Sequence, residues 1–548
     1  MKKNNKGFLL AEVITVSVVT IVALVIIYAQ FVTVDNSYYK SFKYNNVDKL
    51  FLANQLKQFI NGDNASELYS DIENISYADI TNCDAYFIER TYCRNLINAI
   101  DAKQVLVTKL DTSSILDKLK ENKIVSSDMY TFISNNKSLE NGYRLIIEFN
   151  DNTYATLKLG SSVIYKDSIL NGADPELKDN LVPVVINNDG TVKKADLSKE
   201  WYNYTNKIWA NAVLLNGNDT YSAGDTIIED AIKAYYVWIP RYKYQIFYDG
   251  VNDTTKQLIN ITFESKDTTK SKGNTIGSWL TQPAFTFGDT ELNGIWVGKF
   301  ELTGDTNNPT IKPKVTSLRN QKVSTLFITT QKLSTNSSML KNIEWGAVAY
   351  LTTSIYGQGL DEVRINNSST FITGCAASNE NGSKYSGCEK AYNTSIGYLA
   401  STTGNISGIY DMSGGTYEYV MGVMEDSLNS NTPSSGRDTT YNSGFTGKTT
   451  GTVATITGVA FPESKYYDIY KYGTTYNNSE AYSRYHLGDA TTETKGWNED
   501  SKYFVSSEYP WFLRGGESVS NTLSSGIFAS QNGNGYSNNN HSTRAVLR

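Results

Sequence analysis

The sequence predicts an α+β protein: a long N-terminal helix with a small antiparallel sheet, a β-rich connector and a large C-terminal domain. Three observations predict it. Residues 8–32 are almost uniformly apolar, and a helical pattern continues beyond them. Around Asn150-Asp151-Asn152, Leu145, Ile147 and Phe149 alternate with Arg144 and Glu148, the period of a half-buried hairpin. From Ala234 onward the chain becomes a succession of aromatic, strand-like blocks closed by glycine or proline.

A chain of 548 residues is long enough for several domains. It is 40% hydrophobic and 19% charged and rich in Tyr, Asn, Ser, Thr and Gly, which describes a folded, strand-rich, extracellular surface. The net charge of -6 is mild for this length, and no basic block points to nucleic acid as a partner. The four cysteines fall in two close pairs, Cys83 with Cys93 and Cys375 with Cys388. Outside a membrane such pairs read as two local disulfides, with unbonded thiols the alternative. Neither spacing suits zinc.

The N-terminal element comes first. Lys2, Lys3 and Lys6 precede the apolar run, which is long enough to cross a hydrocarbon core of roughly 30 Å. The lysines hold its start in the cytoplasm. Glu12 inside the run is expensive unless it is paired. Gly7, then bulky Phe8, then Glu12 four residues later resembles the leader of type IV prepilins. The resemblance implies cleavage after Gly7 by a membrane prepilin peptidase, a methylated N-terminus at Phe8, and pairing of Glu12 with the amino group of a neighbouring pilin subunit. It also implies insertion in the cytoplasmic membrane before assembly, then display at the bacterial cell surface or in an extracellular pilus. An ordinary secretory signal has an apolar region of only about 7–15 residues. A plain uncleaved anchor leaves Gly7 and Glu12 unexplained. Leu52, Leu56, Phe59 and Ile60 extend the helix as an amphipathic stripe to about residue 59, and Gly62 ends it. The divisions are thus a leader at 1–7, a membrane and assembly helix at 8–33 and a pilin-like domain at 34–169.

Residues 170–233 read as a small β connector, with a short apolar strand from Val182 to Ile186 and a turn at Asn187-Asn188-Asp189-Gly190. Its Trp201, Tyr202, Tyr204 and Trp209 read as the cover of a sheet rather than a sugar platform. Then come Tyr236-Val237-Trp238-Ile239-Pro240, the strand from Gly294 to Glu301, a helical pattern over 345–351, and Gly408-Ile409-Tyr410-Asp411-Met412-Ser413-Gly414-Gly415-Thr416-Tyr417-Glu418-Tyr419. Trp511-Phe512-Leu513-Arg514-Gly515-Gly516 and finally Arg544 complete the series. This succession resembles the formylglycine-generating-enzyme, or sulfatase-modifying-factor, family, and the resemblance implies a C-type-lectin-like fold over 234–548. Asp411, Gly414, Glu418, Arg514, Gly515, Gly516 and Arg544 match the family's motifs as structural residues. Gly415 stands where asparagine is usual, and Tyr417 and Tyr419 replace two tryptophans.

The catalytic parts of that family do not carry over. No cysteine follows Cys388, so the late cysteine pair is missing. The only histidines are His486 and His541, too few for a three-histidine iron site. A Ser-His-Asp hydrolase would need one of these two, and neither lies in a recognisable motif. The expectation is a binding scaffold with no enzyme activity and no cofactor. Calcium held by the hard oxygens of Asp411 and Glu418 stays open beside a purely structural role for these carboxylates.

The stretch from 515 to 543 is the candidate ligand surface. Its polar candidates are Glu517, Ser518, Ser520, Asn521, Thr522, Ser530, Gln531, Asn532, Asn534, Tyr536, Asn538, Asn539, Asn540 and His541. The pattern resembles the variable region of retroelement-diversified proteins, and a polar loop in an Asn-rich chain is the alternative. Tyr supplies rigid amphipathic area and Ser or Asn adaptable hydrogen bonds. Loops near 361–395 and 425–450 are expected to help. The expected function is a pilin-like adhesin or receptor whose C-terminal domain binds an unknown surface protein or glycan. A surface-tethered enzyme of the formylglycine-generating type and a purely structural minor pilin are the alternatives.

Overall fold

The computed structural model describes the backbone of residues 104–107, 145–150, 154–159 and 162–166, and residues 175–548 apart from 179, 205, 249–254, 381, 427–428, 450–453, 472–486 and 519–524. The chain forms two compact units, Met1–Asn171 and Gly172–Arg548.

In the first unit, β1 (Gln104–Val107), β2 (Leu145–Asn150), β3 (Tyr154–Leu159) and β4 (Ser162–Lys166) form one sheet in chain order, each strand antiparallel to the next. Phe149 stands opposite Ala155 and Leu145 opposite Leu159.

In the second unit the chain first lays down β5 (Leu181–Ile186), β6 (Val192–Lys194), β7 (Asn211–Leu215), β8 (Thr226–Ile227), β9 (Ile232–Pro240), β10 (Gly294–Gly298) and β11 (Ser337–Met339). Helices α1 (Val323–Gln331) and α2 (Asn342–Thr352) flank β11. There follow β12 (Tyr417–Asp426), β13 (Asn429–Pro433), β14 (Asp468–Tyr470), β15 (Trp511–Arg514), β16 (Ser530–Gly533), β17 (His541–Thr543) and β18 (Ala545–Leu547). An eight-stranded sheet runs in the order β11-β18-β10-β9-β7-β5-β6-β8. A six-stranded sheet is organised on β12, which pairs β13, β14, β15 and β17, with β16 beyond β15.

Central β9 is nearly continuously apolar because both of its faces are covered. Trp238 faces Trp296 across the β9–β10 ladder, with ring centroids 5.2 Å apart. Every residue of α2 is buried, so the helix is a core element rather than an amphipathic surface one. Its first turn is closed by Glu344, whose carboxylate accepts from Lys341 N at 2.7 Å.

The α+β expectation is corrected here. Among the described residues the protein is β-rich, with α-helices of only 9 and 11 residues and no long helix. Strands win because the repeated blocks of β-branched and aromatic residues pair across the chain instead of continuing a helical period. The helix expected over 8–59 lies outside the described residues, as do Gly7, Phe8, Glu12, Cys83 and Cys93. No helix among the described residues is long and apolar enough to cross a membrane. The 170–233 segment is not a separate layer: β5, β6, β7 and β8 are half of the eight-stranded sheet. Cys375 and Cys388 form a disulfide.

Candidate functional site

The motif residues meet at the start of β12. Arg544, on the turn between β17 and β18, donates to both oxygens of Glu418 at 2.5 and 3.1 Å. Its remaining donors go to Gly298 O (2.8 Å) and Tyr410 O (2.9 Å). Both side chains are fully buried. Removing one partner of such a pair strands a charge and costs about 3–5 kcal/mol. Asp411, at a left-handed φ of 63°, accepts from Asn366 Nδ2 and Gly374 N, each at 2.8 Å.

A third buried carboxyl, Glu301, accepts from Thr416 N at 2.8 Å and touches the Ser317 hydroxyl. Burial pushes its pKa well above the usual range, and Asp411 and Glu418 push it further. Burial also raises Glu418, to about 7, against the pull of Arg544. Gly415 is required at this point. It adopts φ 72°, and a Cβ there would stand 2.5 Å from Glu301 Oε1. The Asp411 and Glu418 carboxylates are committed to Asn366, Gly374 and Arg544, and no trio of His, Cys, Asp or Glu among the described residues is arranged to hold a metal.

Arg514 anchors the other end of the loop. Its guanidinium donates to Asn342 Oδ1 and Asp489 O at 3.0 Å and to Ala490 O at 2.7 Å. Gly515 and Gly516, at φ 81° and 77°, then turn the chain over β12. Gly414 N donates to Gly515 O and Ser518 N to Gly415 O, at 2.9 and 3.0 Å. Both root segments of the 515–543 stretch are therefore fixed to the Asp411–Glu418 block.

The polar candidates themselves are distributed unevenly. Ser518, Ser530, Asn534 and His541 are buried. Glu517, Gln531, Asn532, Tyr536, Asn538 and Asn540 are half-buried, and Asn539 is exposed. Ser520, Asn521 and Thr522 lie outside the described residues. Several are spent on local structure: Asn532 donates to Phe504 O at 2.8 Å, Asn538 to the Tyr536 hydroxyl at 3.1 Å, and Asn540 to Glu517. Ser518 Oγ, Asn534 Oδ1 and His541 Nδ1 are buried polar atoms without a protein partner, as is the side-chain oxygen Oδ1 of Asn540. Thr416 Oγ1, Ser542 Oγ and Arg319 Nε beside them share that property. Buried polar atoms are usually paired, so this concentration in one region marks it out.

Rings connect the loop to its neighbours. His541 packs edge-on against Tyr419 (5.0 Å) and Tyr417 (5.9 Å) and lies 6.3 Å from Tyr536. Tyr536 packs at 5.2 Å against Tyr441, and the Arg437 guanidinium lies 4.4 Å over the Tyr441 ring. The Asp438 carboxylate fixes that loop by accepting from Thr440 N and Tyr441 N, each at 2.8 Å. On the other side Arg319 donates to Asn539 O and stacks 4.5 Å from Phe371. The 361–395 and 425–450 loops thus reach the C-terminal stretch through Phe371 and Tyr441. Sequence reasoning missed Arg319, Arg437 and Tyr441. The 425–450 loop expected from the sequence contains Arg437 and Tyr441 without singling them out, and nothing in the sequence points to Arg319.

Burial lowers the His541 pKa to about 4, so the ring is neutral near pH 7. His486 lies outside the described residues. No protein-family model matches the sequence, and no curated protein matches it.

Proposed function

We propose that this is a pilin-like, surface-displayed binding protein, an adhesin or receptor whose C-terminal unit captures a surface protein or glycan without catalysis. In this reading a prepilin peptidase cuts after Gly7, and Phe8 and Glu12 then engage other pilin subunits. The N-terminal sequence motif supports that half. The resemblance to the formylglycine-generating family supports a domain built on the Glu418–Arg544 pair but without the family's late cysteines.

One observation carries the binding role. Tyr417, His541, Tyr536, Tyr441 and Arg437 form a continuous run of ring contacts on a hydrogen-bonded support, with unpartnered polar atoms beside them. Tyr and Arg dominate the energetics of recognition surfaces, and a rigid support lowers the entropy lost on binding. Neutral His541 has no charged partner among these contacts, which favours recognition over acid–base chemistry.

The test is a glycan array and a panel of cell surfaces probed with the unit 172–548 and with Tyr441→Ala and Tyr536→Ala variants. Each substitution is expected to weaken binding about ten-fold or more, as for central aromatic residues of an interface. Equal binding by all three proteins would remove the site. For the N-terminal half, mass spectrometry of the mature protein should find Phe8 first. A chain still beginning at Met1 would leave a membrane-anchored receptor. Diversification predicts a near-copy of the 514–544 coding sequence beside a reverse transcriptase gene, and a locus without either rules it out.

A further inference from the structure

Arg319 is a cation beside the C-terminal stretch that lacks a counter-charge. It lies half-buried on the segment that leads into α1. That segment runs against the stretch: Asn320 N donates to Asn538 O at 3.0 Å and Val323 N to Gly535 O at 3.1 Å. Arg319 Nη1 donates to Asn539 O, Nε is buried without an acceptor, and Nη2 is left for a ligand. Among the described residues the only carboxyl group whose charge reaches it is Glu301. Burial and the neighbouring Asp411 and Glu418 favour the protonated form of that group, so it does not neutralise the guanidinium. A cation drawn out of water is normally paired and fully hydrogen-bonded, and Arg319 is neither.

Its support is held in an uncommon conformation. The guanidinium lies 4.5 Å from the centre of the Phe371 ring. Phe371 is left-handed at φ 57°, where a bulky residue is rarely found. Three hydrogen bonds keep it there. Phe371 N donates to Ser368 O at 3.0 Å, and Phe371 O accepts from Ser317 N at 2.9 Å and from the Ser317 hydroxyl at 3.2 Å. Strained residues persist only where their surroundings over-determine them, and they gather at ligand clamps and active sites. A guanidinium stacked on such a ring and tied to Asn539 is already ordered, so less entropy is lost when an anion meets it.

The other charges of this surface narrow the ligand. Asn540, next to the residue that Arg319 holds, donates to Glu517, whose carboxylate can only accept. Asp438 is already taken by Arg437, whose Nε donates to it at 2.9 Å. A strongly acidic protein face would meet Glu517 as well as Arg319, and like charges across an interface are costly. A hydroxyl-rich molecule with an isolated carboxylate avoids that conflict. Its carboxylate meets the planar fork of the guanidinium, and its hydroxyls donate to Glu517. We propose that Arg319 makes this surface selective for an acidic glycan, one whose sugars carry a carboxylate. The proposal rests on the surface around Tyr441 and Tyr536 being the binding site. The rings supply contact area there, and Arg319 supplies discrimination by charge.

The test is calorimetric titration of the purified full chain with an oligogalacturonate and its methyl ester, and with sialyllactose and lactose. At least one acid should bind roughly ten-fold or more tightly than its neutral counterpart. The pair that discriminates tells a uronic from a sialic sugar. Arg319→Gln should bind acid and neutral probes alike. Arg319→Lys should recover part of the preference, because the charge returns without the planar fork. Equal affinity for acid and neutral probes in the wild type overturns the proposal, and so does binding of none of them. A preference unchanged in Arg319→Gln overturns it too, as does capture of a polyglutamate peptide with no acidic sugar bound. Tyr441→Ala separates this proposal from the reading beneath it. If that variant loses sugar binding while the wild type ignores charge, the surface stands and only the acidic class is removed. If acid binding responds to Arg319→Gln but not to Tyr441→Ala or Tyr536→Ala, the ring run is removed instead. The wild-type comparison decides by itself, so a variant that fails to fold does not blur the result.

Discussion

Glu301 and His541 carry opposite pH signatures within one site. Glu301 is buried beside two other carboxyl groups and one guanidinium, so its neutral form is the stable one. A carboxyl whose folded pKa exceeds its unfolded value binds its proton more tightly when folded. Its contribution to stability is therefore present at low pH and falls as pH rises through that interval. For Glu418 the interval runs from 4.5 to about 7, and Glu301 shifts in the same direction. His541 does the reverse. Burial lowers it from 6.5 to about 4, so the stability it allows is full above 6.5 and is lost as pH falls toward 4. A shift of that size is worth on the order of 3 kcal/mol. Urea unfolding at about pH 5 and about pH 7 should separate the two. Glu301→Gln should gain stability relative to wild type as pH rises, and His541→Gln should lose it. Identical pH slopes for all three proteins would contradict the assignment. None of this was legible in the sequence. The motif letters identified Glu418 and Arg544, but the third carboxyl comes from the segment that follows β10, more than 100 residues upstream, and burial is not a property of sequence spacing.

At the scale of elements, α2 links the sheets to the C-terminal loop. Trp345 donates from its indole to Ile527 O at 2.8 Å, and the Arg514 guanidinium lies 5.5 Å over its ring. One fully buried side chain thus supports both the first root of the ligand surface, at Arg514, and its middle, at Ile527. Trp345→Ala should cost about 3–5 kcal/mol through the cavity it leaves. Trp345→Phe should recover most of that while losing the bond to Ile527. Thermal unfolding of both variants checks this, and a Trp345→Ala midpoint equal to wild type would show that the helix is not part of the support. This helix was legible at 345–351 because its apolar run is short, unbroken and flanked by polar residues. The ring run from Tyr417 to Arg437 was not. It joins β12, the 434–446 loop and the C-terminal stretch, and no local periodicity announces which loops will meet.

The whole second unit closes only when its last residues arrive. β18 sits inside the eight-stranded sheet, between β10 and β11, and Arg548 then pairs with Glu344. At the other edge, β7 covers the flank of β9 from Asn211↔Val237 to Leu214↔Ala234, and β5 covers β7 in turn. Sequence reading placed a boundary at Ala234 because composition changes there. Composition reports what a segment is made of, and the pairing of β7 with β9 is a tertiary fact. The boundary therefore has a physical consequence that can be measured. A fragment beginning at Ala234 would expose the ladder edge of β9, whose side chains are buried on both faces. An unpaired, apolar edge of that length favours association over folding. The fragment 234–548 should elute as aggregate and show no cooperative transition, whereas 172–548 should be monodisperse and melt in one step. If 234–548 melts at the same temperature as 172–548, the four N-terminal strands are an ornament on an independently stable domain, and the eight-stranded sheet is not the unit that holds the ligand surface in place.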